Sequence, residues 1–412
     1  MAMATKLSLL LSLLPLALAA CVPTIRTPLK QALPSVLGAG EEVTPCWREA
    51  WSVALPGSVR AATLADLDRN GAVDLAAIAT VDGASSLVFA FNGGRGDLTR
   101  TTSLRLNGTP RAIAAGDLNL DGFVDLMVAS GPAIAREPSA LHVLLGDGAG
   151  GFIAGATPLP FEPSALFAVD LDANDVLDAV VLDAEGQRMM TLVGNGRGEL
   201  EVRQKIGLPG KLSPATVAFG DFDGDRFTHL ATLHDRGGAK ATLTLHRGDG
   251  DDFRPWMRVE VGRDARAIAA GDINRDGAVD LVALADRSVD GGPPSAVLLL
   301  GNGASELDFL GVRYFGPSGA AAAHLVDVNG DGFLDVVAPR LSGDMLDVIP
   351  GDRRGGLGKI GSSGMPSGTR ELLVGDLDRD GRPELIALSG DRPAASILQP
   401  AACEAPPPAA TP

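Results

Sequence analysis

The sequence predicts an all-β chain folded as a seven-bladed β-propeller of four-stranded blades. Three observations carry this. An acidic decapeptide recurs seven times, beginning at Asp66, Asp117, Asp170, Asp221, Asp272, Asp327 and Asp376, at spacings of 51, 53, 51, 51, 55 and 49 residues. Each interval holds four short segments of strand character between Gly-rich turns. No interval holds a long amphipathic helix. A period near fifty with four strands per unit is the signature of a propeller blade.

Each unit has the same order of elements. A short strand such as 111–116 (RAIAAG) runs into the acidic loop, and a fully apolar strand such as 125–129 (DLMVA) leaves it. Continuous apolar runs of this length suit a strand buried on both faces. A third strand ends in a Gly-rich turn, as in 143–152 (VLLGDGAGGF), and a more polar fourth strand follows, as in 256–262 (WMRVEVG). The last unit stops after 395–400 (ASILQP), one strand short, while a surplus strand, 49–57 (EAWSVALPG), precedes the first. The expected closure places that N-terminal strand in the last blade, which removes two open sheet edges.

The ends of the chain differ from this pattern. Residues 1–20 hold Lys6 and an apolar run closing in LALAAC, a secretory signal too short to span a bilayer as a mature helix. Leu18-Ala19-Ala20-Cys21 resembles a bacterial lipobox, which implies cleavage before Cys21 and lipidation of its sulfur. Val22 behind that cysteine implies sorting to the outer membrane of a Gram-negative cell envelope. Residues 21–44, rich in Pro, Gly and Ala, read as the lipidated cysteine and a flexible tether, 45–404 as the propeller, and 405–412 as a disordered tail. Cys46 and Cys403 bracket the folded part, and a disulfide between them would lock the seam of an exported protein. The chain-entropy relation puts the upper value of such a link at roughly 5–6 kcal/mol.

A net charge of -16 and the absence of any run of Lys or Arg exclude nucleic acid and anionic membrane surfaces as partners. Membrane attachment is expected through the lipid alone.

The acidic loops read D-x-[DN]-x-[DN]-G-x-x-D. Oxygen ligands on alternate residues of a tight loop converge on one point, and Gly at the sixth position permits positive φ. Hard oxygen donors in this number suit Ca²⁺ rather than zinc or copper. An EF-hand begins the same way but needs Glu at position twelve and flanking helices, and both are missing.

The seven units resemble FG-GAP (VCBS-type) repeats, as in the propeller of integrin α chains, over about 360 of the 412 residues. The resemblance implies calcium held by the side chains at positions one, three, five and nine and by the backbone carbonyl at seven. In the first loop these are Asp66, Asp68, Asn70, Ala72 and Asp74, and in the second Asp117, Asn119, Asp121, Phe123 and Asp125. The fifth offers Asp272, Asn274, Asp276, Ala278 and Asp280, and the sixth Asp327, Asn329, Asp331, Phe333 and Asp335. The seventh offers Asp376, Asp378, Asp380, Arg382 and Glu384, with Glu in place of the ninth Asp. The third keeps Asp170, Asp172, Asn174 and Asp178 but has Asp175 where Gly is expected. The fourth has Arg226 for Gly and His229 for the last Asp, and is not assigned; an arginine charge can substitute there for a cation. Phe123 and Phe333 read as core.

Calcium as a strut suffices to explain the acids. A site with Kd near ~0.2 mM in ~2 mM calcium adds about 1.4 kcal/mol by mass action. The function implied is a calcium-stabilised, lipid-anchored envelope scaffold for protein binding, adhesion or assembly, with an unidentified envelope or surface protein as partner. The alternatives are a lectin-like propeller that binds glycan and a calcium-dependent polysaccharide-active enzyme. Against the lectin, Trp47, Trp51, Trp256 and Tyr314 do not recur once per blade. Against the enzyme, His142, His229, His234, His246 and His324 form no paired motif, so no catalytic residue is assigned. The Arg95-Gly96-Asp97 tripeptide reads as one of the Gly-rich turns.

Overall fold

The computed structural model describes residues 46–401 apart from 82–83, 135–136, 209–211, 235–239, 289, 302–309, 316, 353–354 and 391, together with two short strands at 24–25 and 30–31. Lys6, Cys21, Cys403 and the 405–412 tail lie outside the described residues. The fold is all-β. Among the described residues the one helical element is a single 3₁₀ turn, Pro214–Thr216, and no helix is long and apolar enough to cross a membrane.

The strands follow the order read from the sequence. The first sheet is Ser58–Ala65, Asp74–Val81, Ala84–Phe91 and Arg100–Leu104, hydrogen-bonded antiparallel in chain order. The second (Thr109–Gly116 to Phe152–Leu159), the third (Pro163–Val169 to Leu200–Gly207) and the one from His324–Val326 to Gly361–Gly364 repeat this four-stranded meander. The last sheet is Thr369–Gly375, Glu384–Ser389, Ala394–Ala401 and, outermost, the N-terminal strand Cys46–Ala54. Ala394 faces Ala54 and Ala401 faces Cys46 along that pairing. Cys46 is disulfide-bonded.

Six sheets are present, where seven separate ones were expected. The difference lies in Phe253–Gly271, a single strand of 19 residues. Its first part pairs with Lys240–Gly248 and its second with Asp280–Arg287. The fourth strand of one repeat runs on into the first of the next through Gly262 and Asp264, the latter at a φ of 53°, so both sets of strands share one hydrogen-bonded sheet of nine. Four residues of the segment read as a tether are described, in two short strands. Thr24–Ile25 pairs in parallel with Arg258 and Val259, and Lys30–Gln31 with Val312 and Arg313.

The core is divided between the sheets by strand alternation. Successive side chains on a strand point to opposite faces. Leu75 and Ala77 enter a cluster with Ile386, Leu388 and Ile397 of the last sheet. Ala76 and Ile78, one residue out of phase, enter a cluster with Leu126 and Val128 of the second sheet. Met127 and Ala129 then face Ala179 and Val181, and Val180 and Leu182 face Leu230. The alternation continues through the remaining second strands. The second strands other than His229–His234 are therefore apolar on both faces, and a side chain such as Leu126, with no exposed surface, contributes about 2–3 kcal/mol of burial. Fourth strands stand at the periphery, with exposed positions on both faces, as in Phe152–Leu159.

Candidate metal loops

Each acidic loop joins the first and second strands of its unit and is held open by its own backbone. In all seven, the first Asp accepts a hydrogen bond from the N–H of the sixth residue, at 2.7–3.0 Å. The fifth side chain accepts one from the seventh N–H, at 2.7–2.9 Å. These bonds close a tight turn that presents the remaining carboxylate oxygens on its concave side. The sixth residue has positive φ throughout, including Asp175 at 64° and Arg226 at 77°. The two substitutions for Gly thus leave the loop shape intact at a cost in backbone strain.

Position four is also left-handed in every loop, with Arg69 at 55°, Leu120 at 60°, Ala173 at 58°, Arg275 at 60° and Arg379 at 64°. Sequence reasoning missed this; the available signal was glycine at that position in two loops, Gly224 and Gly330. The conformation sends the side chain across to the next loop. Arg69 lies over the ring of Phe123, and Arg275 over Phe333. Arg379 donates to the carbonyls of Asn70 and Gly71, linking the seventh loop to the first. Phe123 and Phe333 are therefore half-buried platforms between loops, not core residues, because the arginine of the preceding loop covers the face that a core would have enclosed.

The ninth residue has a distinct role. Asp74, Asp125, Asp178, Asp280 and Asp335 have no exposed surface, and Glu384 almost none. One carboxylate oxygen accepts from the N–H of position two, at 2.7–3.0 Å. In five loops the other accepts from the Gly-rich turn after the third strand, from Asn92, Gly146, Gly194, Gly301 and Gly351. The ninth carboxylate thus pins the loop to the Gly-rich turn that lies beside it between the third and fourth strands of the same blade. Burial raises its pKa, the backbone N–H groups pull it partly back, and the nearby loop carboxylates push it up again. Asp74, Asp178 and Asp280 reach about 6 and Asp335 about 7, while Asp125 and Glu384 are raised as well.

The residues fit a divalent cation. In the first, third and seventh loops one oxygen from each carboxylate at positions one, three and nine lies within 4.8 Å of the others. In the same three loops a buried carboxylate oxygen has no hydrogen-bond partner: Asp68 Oδ1, Asp172 Oδ1 and Asp376 Oδ1. In the second, fifth and sixth loops position three is Asn119, Asn274 or Asn329, whose amide donates to Asp121, Asp276 or Asp331.

The fourth loop differs. Asp221, Asp223 and Asp225 converge with His229, and His229 Nε2 stands 3.1 Å from Asp223 Oδ1 in a fully buried pair. The arginine that meets this cluster is Arg247, at 2.8 Å from Asp223 and 3.2 Å from Asp225, and not Arg226. Three of the five histidines also share this region: His234 and His246 flank Thr232 at 3.0 Å each. Burial first, then His234 and Arg258, lowers His246 to about 4. The Arg95-Gly96-Asp97 turn is internally bonded, with Asp97 accepting from Gly93 N–H and the Gly96 carbonyl from Trp51 Nε1.

The sequence model of the FG-GAP-like repeat family matches residues 66–128, from the first acidic loop through the strand after the second. The chain carries FG-GAP-like repeats. They build a β-propeller of four-stranded blades, each FG-GAP unit placing its acidic loop between its two inner strands. Two solved structures share the fold: BBS1N in complex with ARL6DN, from a crystal soaked with lead, at TM-score 0.55 and 15% identity, and the same complex soaked with mercury, at 0.52 and 16%. Each alignment covers 87% of this chain and 98% of the other. No curated protein sequence matches the chain.

Proposed function

We propose that this FG-GAP propeller is a calcium-stabilised, lipid-anchored scaffold of the cell envelope, which binds protein partners through its faces. The observation that carries the calcium reading is the orphaned, buried carboxylate oxygen in the first, third and seventh loops, where three carboxylates converge with no histidine among them. A buried carboxylate oxygen without a donor is costly, and a hard cation at that point satisfies it. The nine-stranded sheet is read as two blades run together, so that seven repeats supply seven blades. Contact of the first sheet with the last, through Leu75 and Ile386 and the Arg379 bonds, supports a closed ring. A disulfide between Cys46 and Cys403 is proposed to fasten its seam. Protein binding is favoured because the BBS1N structures, similar in fold, hold a protein partner.

Two measurements test this. Thermal unfolding of residues 45–404 with EDTA, then with calcium or magnesium restored, is expected to show a fall in Tm that calcium alone recovers. An unchanged Tm would remove the structural cation. Cross-linking of the full chain in cell envelopes is expected to yield a discrete protein adduct and a lipidated Cys21. Release of the chain as a soluble, unacylated protein with no adduct would overturn the anchored-scaffold reading.

A further inference from the structure

The first strands of all the repeats surround one cavity of about 590 Å³, within the range of roughly 300–1,000 Å³ typical of small-molecule sites. The first-strand residues that line it include the opening positions of several strands, such as Arg60, Arg111 and Ser164. The acidic loops follow at the other end, six residues or about 20 Å along an extended chain.

A bulge recurs at these opening positions. The pairing of first and second strands skips one residue between Val59 and Ala61, Pro110 and Ala112, Pro163 and Ala165, Ala265 and Ala267, and Thr369 and Glu371. The skipped residues are Arg60, Arg111, Ser164, Arg266 and Arg370, so four of five bulges carry arginine. Bulges re-aim a side chain out of the regular pleat. Arg60, Arg111 and Arg370 line the cavity, while Arg266 lies 3.5 Å from Asp286. Arg111 is paired with Glu162. Arg60 is exposed and has no ion-pair partner among the described residues. Three of the arginines that look scattered in the sequence thus line one cavity of a strongly acidic protein.

Deeper in the cavity two residues break the repeat. Five residues before the first loop Asp stand Ala61, Ala112, Ala165, Thr216, Ala267 and Ala322 in six units but Glu371 in the seventh. His324 lies on the sixth unit's first strand. Both line the cavity. Glu371 takes a backbone hydrogen bond from Ala62, and its enclosure raises its pKa to about 7. Enclosure pushes His324 down, toward the neutral ring. Three buried polar atoms here have no hydrogen-bond partner: Arg111 Nε, Glu371 Oε2 and His324 Nε2. Such atoms are uncommon in native proteins and point to an absent water, ion or ligand.

We infer that the central cavity is a binding site for a small hydroxylated oxyanion, with Arg60, Arg111 and Arg370 holding a phosphate or carboxylate group and Glu371 and His324 hydrogen-bonding its hydroxyls. Guanidinium forks match both anions. The deep pair, one able to donate and one able to accept, suits hydroxyl groups.

Calorimetric titration of the calcium-loaded protein with glucose 6-phosphate, gluconate and glucose tests this. The charged probes are expected to bind and glucose is not; phosphate and gluconate affinities together tell which anion is preferred. Arg60→Glu, at an exposed position, is expected to weaken binding roughly tenfold or more. Glu371→Ala should weaken it further than Glu371→Gln, which keeps the hydrogen-bonding shape. Arg254→Glu, at an exposed arginine outside both the cavity and the acidic loops, should leave it unchanged, which separates cavity binding from a general charge effect. No heat with either charged probe at millimolar concentration, equal binding of glucose, or an Arg60→Glu affinity equal to that of the natural protein would each overturn the assignment, leaving a water-filled channel.

Discussion

Replacing Asp335 by Asn separates the two roles of the ninth loop carboxylate. Asp335 is fully buried, accepting from Val328 N–H at 3.0 Å and from Gly351 N–H at 2.8 Å. Asn has the same shape but one acceptor oxygen, so one of these N–H groups faces an amide donor. An unsatisfied buried N–H costs about 1–3 kcal/mol. Removing a carboxyl that burial holds at about 7 returns part of this, so about 1–2 kcal/mol is expected without calcium. With ~2 mM calcium and a Kd near ~0.2 mM the lost ligand removes about 1.4 kcal/mol more. At about 2.1 cal/mol/K per residue, a domain of this length loses roughly 1.3 °C per kcal/mol. The variant should therefore melt about 2 °C lower in EDTA and about 4 °C lower in calcium, read by circular dichroism at pH 8. An equal loss in both buffers would refute the loop as a calcium site, and no loss in either would refute the pin.

Three further outcomes follow from the same geometry. Arg226→Gly places glycine at a φ of 77° on an exposed turn and should stabilise the protein by about 0.5–1 kcal/mol, measured by chemical denaturation. The ninth carboxylates have folded-state pKa values raised above the unfolded one, to about 6 for Asp74, Asp178 and Asp280 and about 7 for Asp335. Without calcium the folded chain holds those protons more tightly than the unfolded chain, so stability is highest below the unfolded value and falls as pH rises through 6 to 7. Calcium must displace the same protons, so its affinity should climb across that window; titration calorimetry at pH 5.5 and 8 giving equal affinities would contradict this. Cys46→Ser should lower stability by about 2–4 kcal/mol, and non-reducing peptide mapping of the natural protein should recover Cys46 joined to Cys403.

Much of the molecule follows from local pattern. The seven acidic loops, the doubly buried second strands and the placement of Cys46–Ala54 beside Ala394–Ala401 are all legible in the chain. Each depends on contacts within one repeat or on a count of strands. The acidic positions of the loops are legible for the same reason: alternate residues of a ten-residue turn converge whatever surrounds them. Even the positive φ at position six is written there, in the recurring Gly.

Contacts between repeats are decided by tertiary structure. Arg69 and Arg275 reach the next loop's phenylalanine because position four is left-handed and because neighbouring blades stand at a particular angle, and neither is encoded in one repeat. Arg247 replaces Arg226 as the cation of the fourth loop because a third strand returns its end to that loop. The Phe253–Gly271 strand joins two units because its two halves pair with different neighbours, Lys240–Gly248 and Asp280–Arg287, which is visible only once both pairings are formed. Arg60, Arg111, Arg370, Glu371 and His324 are separated by as many as 311 residues in the chain and meet at one cavity. Sequence periodicity determined what each blade is; the packing of blade against blade determined which side chains share the cavity, because only that packing brings first strands of distant repeats together.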